Sequence, residues 1–301
     1  GIYGPHHTYV APDELYRKYL DLLPALDTDD AEAWSHHPLL DDRTREFDRD
    51  VVHRLRAAYY GMVEHVDQQF GLLADAWSEF ARGRERDDLV CYLSDHGDQI
   101  GEKRQWGKMT FYESSVAIPM VFGGSAVRAR GRVSVPASIM DLSPTLCDLG
   151  LAPRLPDQDG VSQLSLLKSD TALTGTQDEA AGASRTVLSE LLQTSDPPVP
   201  ARMVRQGDWK YVTYAGYEEH DLLFNLANDP DELHNIRDDH PLLAATLAEE
   251  ARRGWDPNSV VREHERRAAH WEILSQWGAN VPVPEPDRWK VPESSWELPR
   301  P

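Results

Sequence analysis

Residues 89–122 read LVCYLSDHGDQIGEKRQWGKMTFYESSVAIPMVF and constrain this chain more than any other stretch. Leu89, Val90, Cys91, Tyr92 and Leu93 make a short apolar run, partly β-branched and partly aromatic. Such a run between polar residues and a Gly-containing turn predicts a buried strand of a mostly parallel sheet. The strand ends on Ser94-Asp95-His96-Gly97-Asp98. In open α/β sheets, ligands sit just past the carboxyl ends of the strands. Asp95 and His96 therefore leave the strand where sites are built. A carboxylate beside an imidazole offers one hard and one borderline ligand to a divalent cation, and Gly97 permits the tight turn. Lys108 follows in Trp106-Gly107-Lys108, a compact cation suited to a phosphate or sulfate oxygen. Taken alone, an Asp-His pair is as readily a capped turn beside a surface histidine.

The order of motifs argues further. After S-D-H-G come Gly101-Glu102, Trp106-Gly107-Lys108, Tyr112-Glu113-Ser114-Ser115 and Pro119. This succession resembles the sulfatase family of the alkaline-phosphatase-like superfamily. The resemblance implies metal binding by Asp95 and His96 and sulfate contact by Lys108. Near the start, Pro5-His6-His7-Thr8-Tyr9 is similar to the family's P-H-x-P-[YF] segment, with Thr8 where a second Pro usually stands. That match implies that His6, rather than His7, contacts the sulfate ester and assists the leaving group, a role suited to an imidazole near neutral pH. His36 and His37 read as solvated loop residues.

Charge narrows the partners. The chain has 301 residues, 31 Lys+Arg against 51 Asp+Glu and a formal charge of -20. That balance argues against nucleic acid, which demands basic patches, and no apolar run reaches the roughly 18–20 residues of a membrane span. Cys91 and Cys147 sit in apolar surroundings and read as buried packing residues. No leader-like segment is legible, so the compartment, cytoplasmic or periplasmic, stays unassigned.

The remaining pattern places the motifs on an α/β scaffold. Residues 43–82 carry apolar side chains at helical spacing, from Leu55 through Trp77 and Phe80, and predict a long core-facing helix bent at Gly61 or Gly71. Arg132–Val135 is a short strand candidate. Asp141-Leu142-Ser143-Pro144 predicts a helix capped by Ser143, and Asp159-Gly160 a turn. Thr186–Glu190, Arg202–Arg205, Trp209–Tyr214 and Asp221–Asn225 predict short strands, with a hairpin at Gln206-Gly207-Asp208. The resulting expectation is part of a large mixed, mostly parallel sheet flanked by helices, plus a small C-terminal α+β subdomain with an antiparallel sheet. Residues 1–167 would be the later part of a catalytic α/β domain, 168–184 a mobile surface loop, 185–253 the small subdomain, and 254–301 a Pro/Trp-rich tail. The placement of that tail resembles the extension of choline-sulfatase-like enzymes, which packs on a neighbouring subunit. A homo-oligomer contact and a tail folded on its own domain both fit it.

The family's nucleophile is a Cys or Ser converted to formylglycine within C/S-x-P-S/A-R. No such motif occurs here, and the Asp pair that completes the family's metal site is missing too. The chain therefore reads as a truncated protein. The expected activity is metal-dependent hydrolysis of a small sulfate ester, with the formylglycine on an absent N-terminal half. Ca²⁺ is the usual family metal, and His96 in place of the commoner Asn also admits Mn²⁺. Two other readings fit the same motifs: a phosphonate monoester or phosphodiester hydrolase, and a non-catalytic fragment that binds anions or partners.

Overall fold

The computed structural model describes residues 1–24, 37–41, 48–129, 131–168 and 185–281. Its first layer is helical. Helix α1, Asp13–Leu22, and the short α2, Pro38–Asp41, precede α3, Arg49–Arg82, along which α1 packs. Asp48 caps α3 by accepting from the backbone N–H of Asp50. Gly61 is what lets the two helices touch: a Cβ there would lie 2.8 Å from the Ala11 Cβ and 3.3 Å from the Leu15 backbone. Its role here is close approach. Tyr16, Ala57 and Ala58 form the small core between the helices. The predicted stripe is covered only as far as Phe70 of α3. Leu73, Trp77 and Phe80 are exposed, with the last two rings stacked at 5.6 Å.

The strand predicted at 89–93 forms as β1, Val90–Leu93, and packs on α3 where Tyr92 meets Phe70 edge-on at 4.9 Å. Its partner is β4, Met120–Gly123, and the pairing is antiparallel, Val90 opposite Gly123 and Leu93 opposite Met120. Among the described residues every strand pairing is antiparallel. The mostly parallel sheet expected from the apolar run is therefore not seen in them. The burial agrees, since all four β1 residues are only partly buried, whereas a central parallel strand is covered on both faces. Arg132–Val135 forms no strand. Cys91 and Cys147 are free thiols of intermediate exposure, not fully buried ones.

Two short elements follow β1. Strands β2, Gln99–Ile100, and β3, Trp106–Gly107, make a small antiparallel ladder. Glu102, the acid of the G-E pair, accepts from the Ile100 N–H at 2.7 Å and pairs with Arg56 of α3 at 2.7 Å. The pair thereby pins this loop to the helical layer. Helix α4, Glu113–Val116, comes next.

Helix α5, Leu142–Leu149, is entered through a 3-10 turn capped by Ser138, not by Ser143. Asp141 is the hub of this region and is 1% exposed. It accepts from the N–H groups of Ser138 at 2.9 Å and Val161 at 2.8 Å, and pairs with Arg185 at 2.5 Å. The turn predicted at Asp159-Gly160 lies instead at Pro156-Asp157.

The antiparallel C-terminal sheet expected from the sequence is present. Its order is β5 (Thr186–Gln193), β6 (Val199–Gln206), β7 (Trp209–Tyr214) and β8 (Leu222–Asn225). Gln206 pairs with Trp209 across a two-residue loop in which Gly207 has φ 56°, the left-handed geometry such hairpins require. Strand alternation gives the sheet two apolar faces. One face, with Ala201, Met203, Val212, Tyr214 and Phe224, packs on Leu40, Phe111 and Tyr112. The other, with Val204, Tyr211 and Leu223, packs on Ala244, Leu247, Ala248 and Ala251 of the helix Pro241–Arg252.

His37 corrects the sequence reading. It is fully buried and stacks on Tyr214 at 4.0 Å. Burial pulls its pKa down to about 4, and the neighbouring His220 adds to the effect. The final helix, Pro257–Gly278, buries no residue and exposes Trp271 and Trp277. Residues 169–184 and the Pro/Trp-rich end 282–301, including Trp289 and Trp296, lie outside the described residues.

Candidate active site

The loop after β1 and the N-terminal loop converge. Gly97 makes this possible: a Cβ there would sit 2.2 Å from the Ser114 carbonyl oxygen. Its N–H donates to the Ser115 carbonyl at 2.7 Å, so the Asp95-His96 turn is tied to α4.

Both candidate histidines have their ring hydrogens fixed by carbonyls. His96 Nδ1 lies 2.7 Å from the Gly97 carbonyl oxygen and His6 Nδ1 lies 2.9 Å from that of His7. A carbonyl only accepts, so each Nδ1 carries a hydrogen. His96 Nε2 stands 3.6 Å from Asp95 Oδ2. At His6, Lys108 Nζ donates to Nε2 at 2.8 Å. The two imidazoles are neighbours, their centroids 6.3 Å apart. The His7 ring packs 4.0 Å from that of His6, and its pKa is lowered by burial and by His6. The structure thus brings His6, Asp95, His96 and Lys108 together, and all four line one cavity of about 340 Å³.

Two residues to which sequence reasoning gave no role complete this arrangement. The Tyr9 hydroxyl donates to Asp98 Oδ2 at 2.8 Å and so ties the His6 loop to the Asp95-His96 loop. Burial and that bond push the Tyr9 pKa far up, while burial and the Asp98 charge push Tyr59 up to about 12. Both phenols are therefore neutral donors. Asp98 Oδ1 is buried with no hydrogen-bond partner. The signal was present, since Tyr9 and Asp98 each stand inside a quoted motif.

Asp95 and His96 suit a divalent cation as a pair: a carboxylate faces an imidazole whose second nitrogen is held by a carbonyl, the usual support for a metal-bound histidine. They are also only a pair. Among the described residues no group of three or more His, Cys, Asp or Glu assembles into a metal site.

A buried charge cluster supports the floor. Lys210, fully buried on β7, donates to Glu113 Oε1 at 2.8 Å and pairs with Glu232 Oε1 at 2.7 Å. Glu232 also accepts from the Glu113 N–H at 2.6 Å. Lys103 donates to the carbonyls of Asp231 and Glu232 at 2.6 and 2.7 Å. The C-terminal sheet thereby holds α4, and α4 holds Gly97.

Residues 2–150 match the sulfatase family model. The choline-sulfatase of Rhizobium meliloti (strain 1021) is 32% identical over 305 residues, covering 96% of this chain and 53% of that protein. Arylsulfatase K of Mus musculus is 32% identical over 212 residues, covering 69% of this chain and 37% of that protein. Among solved structures, a phosphonate monoester hydrolase from Silicibacter pomeroyi superposes with a TM-score of 0.65 at 22% identity, over 83% of this chain and 54% of that one. At that identity the likeness speaks for the fold alone. The chain belongs to the sulfatase family. It spans about half or less of the length of these curated relatives.

Proposed function

We propose that this chain carries the anion-binding and leaving-group side of a sulfuric ester hydrolase. The observation that supports the reading best is the Lys108–His6 contact at 2.8 Å, in the cavity that Asp95 and His96 also line. The resting contact occupies the His6 lone pair. An arriving sulfate gives the Lys108 ammonium a stronger acceptor than a neutral imidazole. His6 Nε2 is then free to take a proton from solvent and pass it to the alkoxide or phenolate oxygen as the ester bond breaks. Tyr9 and Asp98 keep the His6 loop and the Asp95-His96 loop in register while this happens. A divalent cation on Asp95 and His96, Ca²⁺ or Mn²⁺, would stabilise charge on the sulfate oxygens. No C/S-x-P-S/A-R motif occurs among the 301 residues, and the attacking nucleophile is assigned to none of them.

The same reading takes residues 1–167 as catalytic-domain sequence, with β1 and β4 at the edge of a larger mixed, mostly parallel sheet, and 185–253 as a small antiparallel subdomain. The substrate is a small sulfate ester. In a protein that supplies the formylglycine, Lys108→Ala should lower kcat/KM for 4-nitrophenyl sulfate by about 10²-fold or more, the scale of one lost oxyanion contact. A change below about twofold, or a larger loss on phenylphosphonate monoesters than on sulfates, would refute the sulfate assignment.

A further inference from the structure

A second cavity, of about 420 Å³, opens from Asp95, His96 and Lys108 toward the C-terminal sheet. Its lining includes Ser115 and Arg205. Cross-strand register puts Arg205 directly opposite Lys210, on the face of the sheet that points to α4. The two cations differ in their surroundings. Lys210 is neutralised by Glu113 and Glu232. Arg205 Nη1 is enclosed, and no hydrogen-bond acceptor reaches it. Ser115, 1% exposed, likewise holds its Oγ with no partner. Of the three carboxylates around the same cavity, Glu113 is committed to Lys210, Glu190 to Arg202 at 2.5 Å, and Asp95 faces His96 at 3.6 Å. A buried guanidinium nitrogen and a buried hydroxyl without acceptors are costly unless an acceptor joins them.

We infer that Arg205 and Ser115 form a second anion subsite, beside the one built on Lys108, for an acidic group carried by the alcohol half of the substrate. The inference rests on the sulfate-ester reading and narrows it to esters with a further negative charge, a carboxylate being the group that a guanidinium fork and a hydroxyl fit together.

The test is binding, which needs no nucleophile. Phenyl sulfate and its ortho-, meta- and para-carboxylated analogues are titrated into the 301-residue chain by calorimetry. At least one carboxylated ester should bind about tenfold tighter than phenyl sulfate, the scale of one charge-assisted hydrogen bond. Arg205→Met should abolish that preference while leaving phenyl sulfate affinity within about twofold, and Arg205→Lys should restore part of it. Far-UV circular dichroism checks that the variants fold. Lys108→Ala should weaken all four esters together. If no analogue outbinds phenyl sulfate in the unmodified chain, or the preference survives in Arg205→Met, the subsite is refuted. If the preference depends on Arg205 but Lys108→Ala changes nothing, the subsite stands and the sulfate-site reading fails.

Discussion

Replacing Lys210 by Met tests the claim that the C-terminal sheet supports the candidate site through a charge cluster. The lysine side chain is fully buried and that of Glu232 is 3% exposed. Removing the ammonium leaves a buried carboxylate without its counter-charge, which typically costs about 3–5 kcal/mol. Burial already holds the Glu232 carboxyl above its usual pKa. Without Lys210 that rise grows, and the folded state relieves the charge by taking up a proton. The folded pKa then exceeds the unfolded one, so the stabilisation from protonation is complete below about pH 4.3 and is lost as pH rises through the folded value. The penalty should be largest near pH 8 and should shrink toward pH 5. Urea denaturation followed by tryptophan fluorescence at both pH values measures it. Adding Glu232→Gln to Lys210→Met should recover about half of the loss at pH 8, because the orphaned charge is gone. A loss below about 1 kcal/mol at pH 8, or additive effects of the two substitutions, would show that the cluster holds nothing.

Other outcomes follow from the same geometry. His37 has its pKa depressed to about 4 in the folded chain. The unfolded state therefore binds its proton first, and stability falls between about pH 6.5 and 4 by up to about 3 kcal/mol. His37→Phe should flatten that slope in urea titrations, and an unchanged slope would place the acid sensitivity elsewhere. Mn²⁺ should bind the chain weakly, with selective broadening of the His96 ring signals in NMR. Asp95→Asn should weaken the effect at least tenfold, on the order of what a disturbed metal shell costs; equal broadening would make the pair structural. The purified 301-residue chain should hydrolyse no 4-nitrophenyl sulfate, and metal-dependent turnover at about 1 s⁻¹ or above would reveal an unrecognised nucleophile.

Local signals carried well from sequence to structure. The apolar run 89–93, the turn at Gly207 and the helical period after residue 48 each appear where their residues predict them. Motif order carried further than period did, since His6 and Lys108 are 102 residues apart and yet touch. What stayed hidden depended on tertiary partners. The antiparallel union of β1 with β4 is set by segments distant in sequence, which a strand's own composition does not encode. His37 looks like any polar loop residue until Tyr214 stacks on it. Leu73, Trp77 and Phe80 keep a core-like spacing, but among the described residues little covers them. The Tyr9–Asp98 bond joins two motifs that were each legible, and its meaning lies in their meeting.

The Asp141 hub has a consequence for where this chain tolerates alteration. Arg185 is anchored to Asp141, and Leu167 is anchored by its carbonyl to the N–H groups of Arg128 and Ala129 at 2.9 and 3.2 Å. Leu167 and Arg185 are thus two fixed posts, each fastened to sequence well upstream of it. The entropy of closing a connection grows only slowly with its length, by about 0.6 kcal/mol per doubling. A change in the length of that connection should therefore leave strand β5 starting from the same place, because the Arg185–Asp141 pair, not the chain before it, fixes that start.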